Sequence, residues 1–144
     1  MTHSLFPLAA IIVLTWNQRD LTLDCLASLV QMTYPADRLL LIVVDNGSAD
    51  GTAQAIRERY PQAVVLENGE NLGFAGGNNV GIRYAMEHGA EYIGILNNDV
   101  AVTADFLVPL LTVLQSDPAI GIATPLLAVM DQPEQVWALG STVN

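Results

Sequence analysis

The chain has a single cysteine, Cys25, and only two histidines, His3 and His88, in 144 residues. One thiol excludes an intrachain disulfide and a cysteine metal cage, and two separate histidines make no zinc site by themselves. Basic residues are scarce as well: five against fifteen acidic ones, for a net charge of −10. That charge repels nucleic acid and anionic membrane and argues against a polyanion groove, and an anionic small ligand needs a cation to bridge it. No apolar run approaches the roughly 18 to 20 residues of a membrane span. The run Leu5 to Leu14 has no Lys or Arg before it, contains Pro7 and enters Thr15-Trp16-Asn17 without a small-residue cleavage site, so it reads as a strand and not as a secretory signal. A reducing cytoplasm is the expected compartment.

What is present is a chain long enough for one domain with a real core, 51% of it apolar. It alternates strand and helix signals. Ala9 to Thr15 is apolar on both faces, as central parallel strands are. After Asn17, read as an N-cap, Leu21, Cys25, Leu26, Leu29 and Val30 recur at helical spacing, and Pro35 lies beyond. Leu39 to Val44 is a second strand, followed by a Gly/Ser/Asp turn and a helix from Asp50 to Tyr60 with Ala53 and Ile56 inward. Ala63 to Leu66 is a short third strand. Glu67 to Asn79, rich in Gly and Asn, reads as a loop entering a helix from Asn78 to His88. Tyr92 to Leu96 is the fourth strand, and Thr103 caps a helix to Gln115 that Pro109 should kink or break. Ile120 to Thr124 reads as a fifth strand, and periodicity fades from Asp131 onward. The fold class is α/β, a mostly parallel sheet flanked by helices.

Two buried strands end abruptly in polar groups. Leu39 to Val44 stops at Asp45-Asn46-Gly47-Ser48, and Tyr92 to Leu96 stops at Asn97-Asn98-Asp99. Open α/β sheets bind ligands outside the carboxyl ends of their strands, so both ends are expected at one nucleotide and metal site. Asp45 is placed to accept an N–H from a nucleobase edge or a ribose hydroxyl, although Asn, Gly, Ser and Asp are also ordinary turn residues. Asp50 suits a helix start. Asp99 with neighbouring amides suits a hard cation whose other ligands are phosphate oxygens and water. The Gly73 to Asn79 segment offers backbone N–H groups to a diphosphate, or else serves close helix packing. Its spacing is neither G-x-G-x-x-G nor a P-loop.

Four segments, Leu14-Thr15-Trp16-Asn17, Val44 to Thr52, Asn71 to Gly81 and Leu96 to Asp99, together resemble the motifs of family 2 glycosyltransferases in order and spacing, with the rhamnosyltransferase-like and galactofuranosyltransferase-like members as the nearest in look. The resemblance implies a GT-A fold, a UDP- or dTDP-sugar donor, Mg²⁺ or Mn²⁺, and inverting transfer to a glycan or lipid-linked acceptor in polysaccharide or cell-wall biosynthesis. It puts Thr15, Trp16 and Asn17 beside the nucleoside and Asp45 on the base. Asn71, Gly73, Gly77 and Asn78 fall in the third motif, where many relatives carry an Arg at the place of Asn78. Asn97-Asn98-Asp99 occupies the place of the DxD motif, with Asp99 on the metal and Asn97 or Asn98 on ribose or sugar. The catalytic base of the family lies downstream; Asp131 and Glu134 are available carboxylates in an unpatterned stretch, and the base is expected beyond Asn144.

Residues 1–144 are thus expected to be the N-terminal, nucleotide-sugar-binding part of a truncated GT-A domain without its acceptor-binding part, inactive in isolation. The full-length protein is expected in the cytoplasm, peripheral at the inner membrane face. Two other classes stay open: a nucleotide- and metal-binding module without turnover, and a nucleotidyltransferase with a similar sheet. For the latter, the Gly-rich, basic first loop is missing after Ala9 to Thr15.

Overall fold

A computed structural model describes residues 6–130 and 132–138. The first two apolar runs form β1 (Ala9–Thr15) and β2 (Leu39–Asp45), parallel and in register with Thr15 opposite Asp45. Outside β2, β3 (Val64–Glu67) places Glu67 opposite Asp45. On the other side of β1, β4 (Tyr92–Asn97) places Asn97 opposite Leu14. The sheet order is β3-β2-β1-β4, all parallel, which bears out the expected fold class.

Strand side chains alternate between faces, and here both faces are covered. Ile11, Val13, Leu41 and Val43 pack with Cys25, Leu26 and Leu29 of α1 (Arg19–Leu29), Ile56 of α2 (Thr52–Arg59), and Leu107 and Leu111 of α4 (Leu107–Ser116). Ala10, Ile12, Ile42 and Val44 pack on the opposite face with Ala85 of α3 (Gly73–Glu87). Ile12, Val13, Ile42, Val43 and Val44 are fully buried, and each such side chain contributes about 1.5–3 kcal/mol. Right-handed crossovers account for this arrangement: β1 to β2 to β3 steps one way with α1 and α2 on one face, and the return to β4 puts α3 on the other. The strand order therefore reverses between β1 and β4, the switch point at which such sheets bind ligands.

The entrance to α3 departs from the expected loop. The helix begins at Gly73, so Gly77 and Asn78 lie within it, both buried. Gly77, Gly81 and Ala85 recur every four residues on the face toward the sheet. A Cβ on Gly81 would stand 2.7 Å from Ile12 Cγ2 and 3.1 Å from Val44 Cγ2. The glycines thus allow close approach of helix and sheet, and that packing outweighs their poor helix propensity.

Smaller departures have local causes. Asn17 does not cap α1, whose N-cap is Gln18; it sits at φ 53 and bonds to the β2–α2 turn instead. Leu21 is exposed while Thr22 is buried. Pro109 is the third residue of α4, in the first turn, where its missing N–H has no intrahelical acceptor, and the helix runs from Leu107 to Ser116 without a break. Thr103 does not cap this helix; its carbonyl accepts the Phe106 N–H at 3.2 Å. Ile120 to Thr124 is not a strand: the segment pairs with neither sheet, and Ile122 is 88% exposed. The chain instead forms an antiparallel pair of β5 (Leu127–Val129) and β6 (Gln132–Ala138), the latter in a stretch without evident sequence pattern. Asp131 lies outside the described residues. Among the described residues no helix is long and apolar enough to cross a membrane.

Candidate functional site

The carboxyl ends of β1 and β4 and the start of α3 enclose a cleft of about 340 Å³, lined by Leu14, Thr15, Trp16, Gln18, Asn46, Asn71, Gly73, Phe74, Asn97 and Asn98. None of these residues carries a charge. Of the site residues inferred from sequence, Thr15, Trp16, Asn71, Gly73, Asn97 and Asn98 line it, whereas Asn17, Asp45, Gly77, Asn78 and Asp99 do not. Asn17 borders a second depression of about 550 Å³ at the start of α1, shared with Gln18, Arg19, Asp20, Leu21 and Asp50.

The floor at the switch point is a closed hydrogen-bond network. Thr22 Oγ1 donates to the Gln18 carbonyl at 2.7 Å, so in its 2.7 Å contact with Thr15 Oγ1 it must accept the Thr15 proton. Asn98 Nδ2 donates to Gln18 Oε1 at 2.9 Å and to Thr22 Oγ1 at 3.0 Å, with Thr15 Oγ1 at 3.5 Å. Thr15, Thr22 and Asn98 are all buried. The side-chain donors of these three residues are consumed inward, joining β1, α1 and the end of β4. What Asn98 retains for a ligand is its oxygen, which has no protein partner among the described residues.

A second network holds the β2 side. Asp45, 2% exposed, receives the Ser48 N–H on Oδ1 at 2.8 Å, while Oδ2 has no protein partner among the described residues. Asn46 is the tie to α3. Its Oδ1 accepts from Asn68 Nδ2 at 2.7 Å, and its Nδ2 donates to Asn71 Oδ1 at 3.2 Å and to the Gly73 carbonyl at 3.1 Å. Asn71 Oδ1 also accepts the Gly73 N–H at 2.9 Å, capping the helix in fact if not in position. Asn17 links the two loops through its N–H to Ser48 Oγ and through Oδ1 from the Ala49 N–H. Gly77 faces the Leu14 side chain and Asn46, and Asn78 Nδ2 donates to the Phe74 carbonyl while its buried Oδ1 has no partner among the described residues.

Beyond the cleft floor, Asn97 and Asp99 are exposed on either side of buried Asn98. The Asp99 carboxylate accepts no hydrogen bond and joins no ion pair among the described residues. Burial, and then the Asp99 charge, push the Cys25 thiol up to about 11. The Thr52 hydroxyl, followed by the N–H groups of Arg19 and Thr52, holds the Asp50 carboxyl below its ordinary value. No cluster of three His, Cys, Asp or Glu side chains capable of holding a metal occurs among the described residues.

Sequence reasoning missed Gln18, Thr22, Asn46 and Phe74. Thr22 and Gln18 fall where α1 was read for its apolar face, and Asn46 passes for a turn residue. For Phe74 the available signal was an aromatic inside a glycine-rich segment.

The family model described as "Glycosyl transferase family 2" matches residues 10–139. Glycosyltransferase AglE of Haloferax volcanii is 33% identical over 85 residues, 57% of this chain and 28% of its own length. Galactofuranosyltransferase GlfT1 of Mycolicibacterium smegmatis is 24% identical over 136 residues, 94% of this chain and 44% of its own. The mannosyltransferase PcManGT of Pyrobaculum calidifontis, solved with GDP-Man and Mn²⁺, superposes with a TM-score of 0.72 at 31% identity, over 80% of this chain and 34% of that one. The chain thus spans less than half the length of each of these relatives. With a GT-A-type sheet whose polar strand ends converge on one cleft, and with a family match covering nearly its whole length, the chain belongs to glycosyl transferase family 2.

Proposed function

We propose that this chain is the donor-binding, N-terminal part of an inverting glycosyltransferase that moves a sugar from a UDP- or dTDP-linked donor to a glycan or lipid-linked acceptor, working in the cytoplasm at the inner membrane face. The observation that carries this is the cleft at the switch point between β1 and β4, framed by Thr15, Trp16, Asn71, Gly73, Asn97 and Asn98. Asp45 would take the base through its free Oδ2, Asn97 and the Asn98 oxygen would meet ribose or sugar hydroxyls, and the first N–H groups of α3 beyond Gly73 would face the diphosphate. Asn17 and Gly77 support this geometry through the loop bond to Ala49 and the close packing on Asn46, and Asn78 is buried behind them.

PcManGT is described with Mn²⁺, and the residues here fit a divalent cation in one specific way. Asp99 is an exposed carboxylate with no protein partner among the described residues, and too few other acids surround it for an all-protein cage. That donor set suits a hard cation completed by diphosphate oxygens and water. When bound, such a cation would offset the charge gathering on the departing diphosphate. In the displacement, the acceptor hydroxyl oxygen bonds to the anomeric carbon, the bond from that carbon to the diphosphate oxygen breaks, and the hydroxyl proton passes to a base downstream of this chain. The chain's own residues bind and orient the donor.

A second reading, nucleotide binding without turnover, is favoured by one observation: no carboxylate lines the cleft. Calorimetry with UDP and dTDP, with and without Mn²⁺, tests the site. Asp99→Ala should abolish the metal-dependent part of binding, and Asp45→Ala should weaken binding of the nucleoside itself. Unchanged affinity in either variant overturns that residue's role. Donor hydrolysis or transfer assayed in the longer protein separates the enzyme from the binding module.

A further inference from the structure

The side of α1 that meets the end of β4 is polar, where a helix packed on a core is ordinarily apolar. Gln18, Thr22, Cys25 and Ser28 follow one another at spacings of four and three residues, along one side of the helix. Each holds a different part of the chain around and beyond the β4 end. Gln18 Oε1 and Thr22 Oγ1 accept from Asn98 Nδ2 at 2.9 and 3.0 Å. The Cys25 thiol meets the Asn97 carbonyl at 3.7 Å. Ser28 Oγ donates to the Cys25 carbonyl at 2.7 Å and accepts the Val102 N–H at 3.1 Å. Past the helix, the Ala104 carbonyl accepts the Thr33 N–H at 2.9 Å and the Thr33 hydroxyl at 3.2 Å.

These bonds fall on a stretch with no regular structure of its own. Between the end of β4 at Asn97 and the start of α4 at Leu107 there is neither helix nor strand, so the backbone there takes its partners from α1. Asp99 stands between two of the anchors, Asn98 on Thr22 and Val102 on Ser28. Its own carboxylate has no protein partner among the described residues, so the backbone on either side is what fixes its place. We propose that Thr22 and Ser28 are positioning residues of the donor site, two anchors on α1 that fix the loop after β4 and thereby the place of the Asp99 carboxylate at the cation. This rests on the reading of Asp99 given above. Neither anchor lines the cleft, so each acts through the loop and not on the ligand. The nucleoside side depends on different bonds, those of Asp45, Asn46 and Asn71. Loosening the loop should therefore weaken the metal-assisted part of binding selectively.

The test is calorimetry on the full chain with whichever of UDP and dTDP it binds more tightly, with and without Mn²⁺. Mn²⁺ should strengthen nucleotide binding by the parent. Ser28→Ala should cut that enhancement about fivefold, the worth of one hydrogen bond, and leave metal-free affinity within about twofold of the parent. Thr22→Val should cut the enhancement at least as far, and Thr22→Ser, which keeps the hydroxyl, should preserve it. Alanine is a better helix former than serine, so Ser28→Ala retains α1, and far-UV circular dichroism should match the parent. Without metal or nucleotide, amide hydrogen exchange in Ser28→Ala should quicken at residues 99–102 and stay parental in β2 and α3. An undiminished enhancement in Ser28→Ala, an equal loss with and without Mn²⁺, or unchanged exchange in the loop overturns the assignment alone. A loss in Thr22→Ser as large as in Thr22→Val removes Thr22 from it. A parent chain that binds neither nucleotide, or whose binding Mn²⁺ does not strengthen, overturns the cation reading of Asp99 and this assignment together.

Discussion

Replacing Gly81 with alanine puts one methyl group between α3 and the sheet. In an open helix the change is favourable by about 1 kcal/mol, since glycine is the poorer helix former. Here the added Cβ would lie 2.7 Å from Ile12 Cγ2, 3.1 Å from Val44 Cγ2 and 3.2 Å from Ile12 Cδ1. Neither neighbour can step aside easily. Both are fully buried, both are β-branched and stiff at χ1, and each stands on a strand paired on both sides. Overpacking of this kind costs about 1–3 kcal/mol. After subtracting the propensity gain, Gly81→Ala should destabilise the chain by about 1 kcal/mol, up to about 2. Urea unfolding followed by far-UV circular dichroism measures it, with the slope unchanged and the midpoint lowered. Ile12→Val, which removes the Cδ1 atom, should cost less in the alanine variant than in the parent, giving a favourable coupling in a double-mutant cycle. A Gly81→Ala chain more stable than the parent, with additive effects in the cycle, would refute the claim that α3 is in hard contact with the sheet.

The remaining predictions concern the loops that hold the cleft. Gly77→Ala would bring a methyl within 2.9 Å of Asn46 Oδ1, so it should both lower stability and weaken nucleotide binding through the Asn46 bonds to Asn71 and Gly73; unchanged affinity by calorimetry would show that those bonds do not shape the cleft. Asp50 has a folded carboxyl value below its ordinary 3.8, chiefly through the Thr52 hydroxyl. Its contribution to stability is therefore full above that value and is lost as pH falls through the lowered folded one. Thr52→Val should raise the Asp50 carboxyl in an NMR titration and soften the acid-side loss, and an unmoved titration would sink the assignment. Cys25, raised to about 11, should resist iodoacetamide in the native chain at about pH 8 and react on unfolding; labelling of the native chain at the rate of a free thiol would contradict its burial.

The central strands were legible because their signal is composition. Ala9 to Thr15 and Leu39 to Val44 are apolar on both faces, and only a doubly covered parallel strand needs that. The helices α1 and α2 were legible in part, since their apolar spacing survives in the buried Cys25, Leu26, Leu29, Ala53 and Ile56. The start of α3 was not. Gly and Asn between residues 67 and 79 are loop formers by local propensity, and only the neighbouring sheet, with Leu14, Ile12 and Val44 in the way of any side chain, turns them into a helix face. Ile120 to Thr124 failed for the converse reason. An apolar run of strand-like composition becomes a strand only where an edge receives it, and Ile122 stands 88% exposed.

The site shows the same division between type and role. Asn97, Asn98 and Asp99 read in sequence as one polar trio ending a strand, and strand alternation alone would set Asn97 and Asp99 apart from Asn98. The structure separates them further. Asn98 turns inward, and its amide closes the network of Thr15, Thr22 and Gln18. A carboxylate there could not donate to Gln18 Oε1 or to Thr22, whose own proton is already given to the Gln18 carbonyl. An amide at this position thus follows from the buried threonines beneath it, which no local pattern in the trio reveals. On the proposed reading, the negative charge of the trio is then concentrated in the outward-facing Asp99. A cation would be held there by the protein and the donor diphosphate jointly, so metal affinity should rise when the nucleotide is present and nucleotide affinity should rise by the same factor when the metal is present. Calorimetric titrations of Mn²⁺ with and without UDP, and of UDP with and without Mn²⁺, should close that cycle; Mn²⁺ binding as tight without nucleotide as with it would require ligands other than Asp99.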